Sequence, residues 1–145
     1  MPIGGSWASY TPSLLETSAG GYLARNFYAG SAAVPFDQSR GEALLETSEA
    51  DDADAQPTNM FTMGYGIGAL MHAVLEKACA AGDLTPEGLV EARASIGAVD
   101  TDGGLTTLDY SNLGESPSRS LFMVQLDPDV PGQLRTISDG EYFLE

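Results

Sequence analysis

The residues of this 145-residue chain that could carry chemistry are few, and their spacing does not assemble a catalytic site. His72 is the single histidine and Cys79 the single cysteine. A nucleophilic triad needs an imidazole beside an activated hydroxyl or thiol, and the chain has no Gly-x-Ser-x-Gly elbow to present one. One cysteine also excludes an internal disulfide and a cysteine-rich metal site. The Ala-rich helical segment around these residues predicts a buried Cys79 and a His72 that lies on the helix surface or is hydrogen-bonded.

Two short motifs resemble ligand-binding loops but are incomplete. Gly64–Gly68 has the spacing Gly-x-Gly-x-Gly, whereas a dinucleotide loop needs Gly-x-Gly-x-x-Gly after a strand and an acidic residue about 20 residues later. Asp100–Gly103 resembles the opening of a calcium loop, but its twelfth position would be Ser111 instead of glutamate. We interpret the first motif as a close helix contact and the second as a turn without a bound cation. No cofactor, catalytic residue or metal ligand is therefore expected.

The charge balance restricts the possible partners. Six basic residues against 21 acidic ones give a net charge of −15. Nucleic acids and anionic membrane surfaces attract clustered Lys and Arg, so neither is an expected partner. The 43% of hydrophobic residues is sufficient for a folded core, and no apolar run reaches the roughly 20 residues of a membrane-spanning helix. The sequence predicts an acidic, globular protein.

Two central helices are the clearest elements of the chain. The first is predicted from Thr58 to Ala81, and the three- and four-residue spacing of its apolar residues predicts one broad buried face. The members of that face are Phe61, Ile67, Leu70, Met71, Val74, Leu75 and Ala78. Gly82 ends this helix, Thr85 caps the next one, and Pro86 is its first residue. An earlier helix is predicted to begin near residues 41–45 and to fray into an exposed acidic loop.

Strand-like segments surround these helices. The chain begins with a strand end that enters a loop containing Trp7 and Tyr10. The aromatic segment 22–28 is predicted to be a strand, and alternation predicts two more at 120–126 and 133–137. The combination of strands with central helices predicts an α/β fold.

The loop that contains Trp7 and Tyr10 has the composition of a ligand-binding wall. Ser6 and Ser9 place hydroxyl groups beside the two rings. Small-molecule clefts combine mostly apolar walls with a few polar groups that fix orientation. An alternative, that Trp7 fills the local core, is equally supported and stays open.

Taken in order, these segments resemble the C-terminal portion of the type I solute-binding proteins of ABC transporters, in the branched-chain amino acid class. The resemblance covers nearly all of the chain and rests on residues 2–10, 21–27, 62–70, 84–89, 103–111 and 121–126. It implies part of a two-lobed periplasmic-binding-protein type I fold, in which three-layer αβα lobes close on a ligand at a hinge. Residues 1–50 would belong to the second, C-terminal lobe and 51–110 to the first. Residues 111–145 would supply strands that cross the hinge back to the second lobe.

The resemblance also implies what the protein does. Such proteins are not enzymes; they capture a small molecule outside the cytoplasm and deliver it to an ABC permease in the membrane. The expected location is the periplasm or the cell surface as a lipoprotein, although the first residues do not read as a secretory signal. The alternative is a ligand-sensing domain of the same fold in a receptor or regulator. Because the strand-like runs are few for two lobes, a companion segment or a second copy of the chain is expected beside this one.

The candidate ligand-binding residues follow from the same resemblance. In that family the loop after the first strand and the segment that opens the long helix border the cleft, which places Ser6, Trp7, Phe61 and Tyr65 at the ligand. Binders of branched-chain amino acids often carry an acid in that loop, opposite the ligand ammonium, and this loop has none. The ligand expected is an amino acid or an apolar or aromatic compound, and the missing acid favours the latter.

Overall fold

The computed structural model describes residues 1–51, 54 and 57–143. Its strands, in chain order, are β1 (Ile3–Ser6), β2 (Phe27–Ser31), β3 (Ala98–Val99), β4 (Leu108–Asp109), β5 (Ser120–Leu126), β6 (Leu134–Thr136) and β7 (Tyr142–Phe143). Its α-helices are α1 (Gly20–Asn26), α2 (Ser39–Asp51), α3 (Asn59–Ala81) and α4 (Pro86–Ala94). Single 3₁₀ turns cover Trp7–Ser9, Pro12–Leu14 and Pro131–Gln133.

The main sheet combines strands from both ends of the chain. β1 runs parallel to β2, and β2 runs antiparallel to β5. β5 in turn pairs antiparallel with both β6 and β7. β3 and β4 form a separate two-stranded sheet. The fold is therefore mixed α/β, with helices flanking the larger sheet.

The core lies on one face of the main sheet. Along β5, residues alternate between buried and half-buried, beginning with buried Ser120, which is the pattern of a strand with one face against a core. Its buried apolar side chains form one cluster with residues of other strands and loops: Tyr10, Phe27, Ala29, Val34, Phe122, Val124, Leu126 and Leu134. The loop after β1 thus reaches into the same core through Tyr10.

The segment predicted as a strand at residues 22–28 is mostly helix, so that prediction is wrong. α1 occupies Gly20–Asn26, and the strand β2 begins only at Phe27. The reason is topological: β1 and β2 are parallel, and parallel neighbours require a crossover that carries the chain back across the sheet. α1 is part of that crossover, which a local reading of aromatic content cannot reveal.

Both predicted central helices are confirmed, together with their signals. Thr58 caps α3 by accepting a hydrogen bond from the backbone N–H of Met60, and Gly82 ends it in the left-handed region at φ 73°. Thr85 caps α4 through the backbone N–H of Gly88, with Pro86 as the first helical residue. β5 also has the predicted bounds. α2 runs from Ser39 to Asp51 and so includes most of the acidic run in which fraying into a loop is predicted, while residues 52 and 53 of that run lie outside the described residues.

The broad apolar face predicted for α3 is buried only in part: Val74 and Ala78 are buried and Leu70 packs against two buried clusters. Ile67, Met71 and Leu75 are 44%, 49% and 43% exposed. The other residues buried from α3 are small or polar: Asn59, Thr62 and Gly66. The backbone of Gly104 and Leu105 packs against Gly66, whereas Val74 and Ala78 pack with Ala92 of α4.

Two smaller predictions about this region need correction. Cys79 is exposed, contrary to the prediction of a buried thiol, because the neighbouring Ala78 occupies the position that packs toward α4. The three glycines of residues 64–68 are interpreted from the sequence as sites of a close helix contact, but only Gly66 makes such a contact. A Cβ at Gly64 or Gly68 would have no atom within 4 Å. The exposed His72 agrees with its predicted position on the helix surface.

Candidate functional site

A small pocket forms where the loop after β1 meets the first turn of α3. We call it the Trp7 pocket, and its volume is about 80 Å³. Its lining residues are Trp7, Tyr10, Thr11, Pro12, Thr58, Asn59 and Met60. Aromatic, aliphatic and hydroxyl groups thus converge on one space, as in many small-molecule sites.

A second depression adjoins the Trp7 pocket. It shares Pro12 and Thr58 with that pocket and has a volume of about 150 Å³. Its other lining residues come mainly from the connection between β5 and β6: Pro57, Pro128, Val130, Pro131, Gly132 and Gln133. We call it the Pro131 pocket. Each pocket is smaller than the roughly 300–1,000 Å³ of a complete ligand site, which fits one wall of a larger cleft.

The lining of both pockets carries no formal charge. Of the described residues that line them, none is Asp, Glu, Lys, Arg or His. A charged ligand group would therefore lose water there without gaining a countercharge from these residues, which is costly. The two pockets therefore suit an uncharged part of a ligand.

Trp7 contacts both the core and the pocket. Its half-buried side chain packs against the main hydrophobic cluster, and it also lines the Trp7 pocket. The two alternatives left open by the sequence are thus compatible in this structure. A ring anchored in the core is a rigid surface, and rigid aromatic walls bind ligands at a small entropic cost.

Tyr10 connects the β1 loop to the connection before β6. Its hydroxyl donates a hydrogen bond to the side-chain oxygen of Gln133. Gln133 has φ 57°, in the left-handed region that non-glycine residues rarely adopt. A conformation of this kind persists only where surrounding contacts hold it, and such positions concentrate at functional sites. Burial raises the pKa of Tyr10 to about 12.

We expect the buried phenol to produce a stability loss at alkaline pH. The pKa of Tyr10 is about 12 in the folded protein and about 10 in an unfolded chain, so its contribution is complete below about pH 10 and disappears as the pH rises through 12. The melting temperature should fall across this window. The Tyr10→Phe variant, which has no proton to lose, should fall less steeply there.

For the wild type and for Tyr10→Phe, the melting temperature above pH 10 is compared with that of the same protein near pH 8. At that pH Tyr10→Phe should show only the loss of one hydrogen bond, about 1 kcal/mol of unfolding free energy. Parallel pH profiles of wild type and variant above pH 10 would contradict a buried, neutral Tyr10.

Asn59 contributes the least expected group of the site. It is the first residue of α3, directly after the cap residue Thr58, and is only 6% exposed. Neither its side-chain nitrogen nor its side-chain oxygen has a hydrogen-bond partner. A buried polar group left in this state costs stability, and such groups are few in folded proteins.

The structure brings together only part of the predicted ligand-binding set. Trp7 lines one pocket together with the opening of α3, as expected, but the residues of α3 in that pocket are Asn59 and Met60. Ser6 is exposed beside Ser9, with 3.3 Å between their hydroxyl oxygens, and neither Ser6 nor Phe61 is among the residues that line the two pockets. No sequence signal indicates Asn59 beyond its position directly after a helix cap.

Tyr65 lies elsewhere, in an open groove of about 700 Å³ between α3 and the Asp100 turn. That groove also contains His72 and Glu76, which are exposed and separated by 3.7 Å between Nδ1 and Oε2. The Asp100 carboxylate pairs with Arg40. Within the described part of the chain no three His, Cys, Asp or Glu side chains are grouped so that they could hold a metal ion. The groove is larger but open and charged, so we favour the Trp7 pocket as the binding surface.

Comparisons with known proteins bear on this site. No family model matches the chain, and no curated protein matches it. Among solved structures, the fatty acid ABC transporter substrate-binding protein from Thermomonospora curvata is similar, with a TM-score of 0.87 and 28% sequence identity. The similarity covers 100% of this chain but 37% of that protein. The chain therefore has the fold of one portion of an ABC transporter substrate-binding protein.

Proposed function

We propose that this chain is part of a solute-binding protein that captures a small molecule outside the cytoplasm for an ABC importer. The observation that carries the proposal is the similarity of the whole chain to part of a substrate-binding protein, at a TM-score of 0.87. The position of the Trp7 pocket, between a strand-end loop and a helix start, supports the same function. Its partners would be a small-molecule ligand and a membrane permease, and its activity would be binding without catalysis. None of the helices in the described part of the chain has the length and apolar character needed to cross a membrane.

The ligand we propose is apolar or aromatic in its main body. An amino acid carries an ammonium and a carboxylate, and the described residues that line the two pockets offer neither a carboxylate nor a cation. The similar protein is described as a fatty acid binder, a class with a long apolar chain. Both points favour an apolar ligand over the branched-chain amino acids that the family resemblance implied.

We further propose that the chain contributes to two lobes. Residues 1–50 and 111–145 would form part of the second lobe, since strands from both segments build the main sheet. Residues 51–110 would belong to the first lobe, where α3 packs on α4 through Val74, Ala78 and Ala92. The two parts contact each other where the carbonyl oxygen of Ala32 accepts a hydrogen bond from the backbone N–H of Thr106 at 2.8 Å.

Two surfaces support a companion segment that completes these lobes. Every residue of β1 is exposed, and of the described strands only β2 pairs with it, although parallel strands are normally covered on both faces. A second surface is the apolar groove of about 300 Å³ between α3 and α4, lined by Leu70, Met71, Val74, Leu89, Val90 and Arg93. Val90 is 62% exposed in that groove. Surfaces of both kinds promote association.

The isolated 145-residue polypeptide is expected to associate with itself when no companion segment is present. Sedimentation velocity should show species heavier than the 15.2 kDa monomer. Val90→Glu should reduce association by placing a charge in the groove, whereas Glu87→Gln, on the same helix outside it, should not. A compact monomer that melts cooperatively would contradict the need for a companion.

Ligand capture is tested by a thermal-shift panel on the full-length protein. The panel contains leucine and phenylalanine, medium-chain aliphatic acids and amides, and small aromatic compounds. A bound ligand raises the melting temperature by mass action, and the shift grows with its concentration over the dissociation constant. We expect the apolar compounds to stabilise the protein and the amino acids to have little effect. If no compound shifts the melting temperature, the proposed function fails.

A further inference from the structure

We propose that Asn59 determines ligand specificity by binding an uncharged group that both donates and accepts hydrogen bonds, such as a carboxamide or a hydroxyl. This inference rests on the proposed function and specifies the head group of the ligand. The apolar body of the ligand would lie against Trp7 and Met60, which line the same pocket.

The first support is the state of the Asn59 side chain. A carboxamide offers two N–H donors and one acceptor oxygen. The Asn59 residue is 6% exposed, hence 94% buried, and neither polar atom of its side chain has a hydrogen-bond partner. Its Oδ1 also lies close to the Pro131 pocket, because a Cβ built on Gly132 would be 3.5 Å from it. Asn59 thus lines the Trp7 pocket and lies next to Gly132 of the Pro131 pocket, with neither polar atom of its side chain hydrogen-bonded.

The second support is the chemistry that surrounds this side chain. The N-terminus of the 23-residue α3 carries a partial positive charge that favours an acceptor oxygen on the ligand, and the Asn59 Nδ2 favours the same. The Asn59 Oδ1 requires a donor. An amide or a hydroxyl supplies both, whereas an ionised carboxylate would bring a second acceptor toward Oδ1 and leave it unpaired.

The absence of charge among the described lining residues supports the same selection. A carboxylate would gain no cationic side chain from them in a protein of net charge −15, and the partial charge of the α3 N-terminus offsets only a small part of its desolvation. An uncharged head group avoids that cost. The recognition expected is therefore that of an amphipathic, uncharged molecule.

Octanamide and octanoate test this selection because they share an alkyl chain and differ in the head group. Each is titrated calorimetrically into the full-length protein at neutral pH, where octanoate is ionised. We expect octanamide to bind about tenfold more tightly, the scale of one or two satisfied hydrogen bonds. Asn59→Leu should remove most of that preference, and the matched Asn112→Leu, at an exposed turn outside both pockets, should retain it.

The stability of the ligand-free variant provides a second readout. Because Asn59→Leu removes an unpaired buried carboxamide while keeping a similar shape, its melting temperature should equal or exceed that of the wild type. A lower melting temperature with an unchanged octanamide preference would overturn the inference by showing a purely structural asparagine. Equal binding of the two probes to the wild type would also overturn it while leaving the proposed function intact. Binding of neither probe, together with an unresponsive thermal-shift panel, would overturn both.

Discussion

Trp7→Ala is expected to weaken binding of the most stabilising panel compound by about 1–3 kcal/mol, or roughly five- to 150-fold. The indole lines the Trp7 pocket and packs against the hydrophobic core. Its loss therefore removes contact area for the ligand and a rigid wall of the pocket. The chain has one tryptophan, and its fluorescence in the wild type should change on binding. Titration calorimetry gives the affinity of the variant, which has lost that signal.

Trp7→Phe is the matched control for this substitution. It keeps a ring anchored in the core and should retain most of the affinity. Because Trp7 also packs against the core, both variants must be shown to be folded at the temperature of the titration. An unchanged affinity in a folded Trp7→Ala protein would leave Trp7 as a core residue alone.

Gly104→Ala is expected to destabilise the fold by about 3 kcal/mol, the upper range for overpacking. A Cβ at Gly104 would lie 2.3 Å from the backbone N and 2.5 Å from the Cα of Gly66, and 2.7 Å from the carbonyl oxygen of Thr62. All three atoms belong to the backbone of α3, which cannot yield as a side-chain tip can. The helix would have to separate from the segment it packs on, and urea unfolding measures the loss.

Gly64→Ala is the matched control, since Gly64 lies on α3, the helix that Gly104 contacts. A Cβ there would have no atom within 4 Å, so the substitution should stabilise α3 by about 0.5–1 kcal/mol through helix propensity. Similar effects of the two substitutions would contradict the close approach of α3 and Gly104.

The elements that could be predicted from the sequence are those specified by adjacent residues. Thr58 and Gly82 mark the ends of α3, and the alternation within residues 120–126 marks β5, since caps, stops and alternation are local signals. The predictions that were wrong concern features that depend on residues distant along the chain. α1 belongs to the crossover that the parallel pairing of β1 with β2 needs, and the close packing of α3 at Gly66 depends on Gly104.

The same distinction explains the candidate site. Trp7 was a candidate because aromatic residues in a loop after a strand are visible in the sequence. Asn59 was not, since a polar residue in the first turn of a helix normally faces water. Its burial depends on neighbours such as Gly132, more than 70 residues further along the chain. The roles of Ser6, Phe61 and Tyr65 stay predictions, and a ligand wall supplied by a companion segment would decide them.

The most direct test of the account is native mass spectrometry of the full-length protein after incubation with the most stabilising compound of the panel. We expect one small molecule bound per protein, displaced when the protein is denatured and strongly reduced in Trp7→Ala. Observation of the ligand-free mass alone, at compound concentrations that should saturate the site, would contradict the proposal that this chain is part of a solute-binding protein.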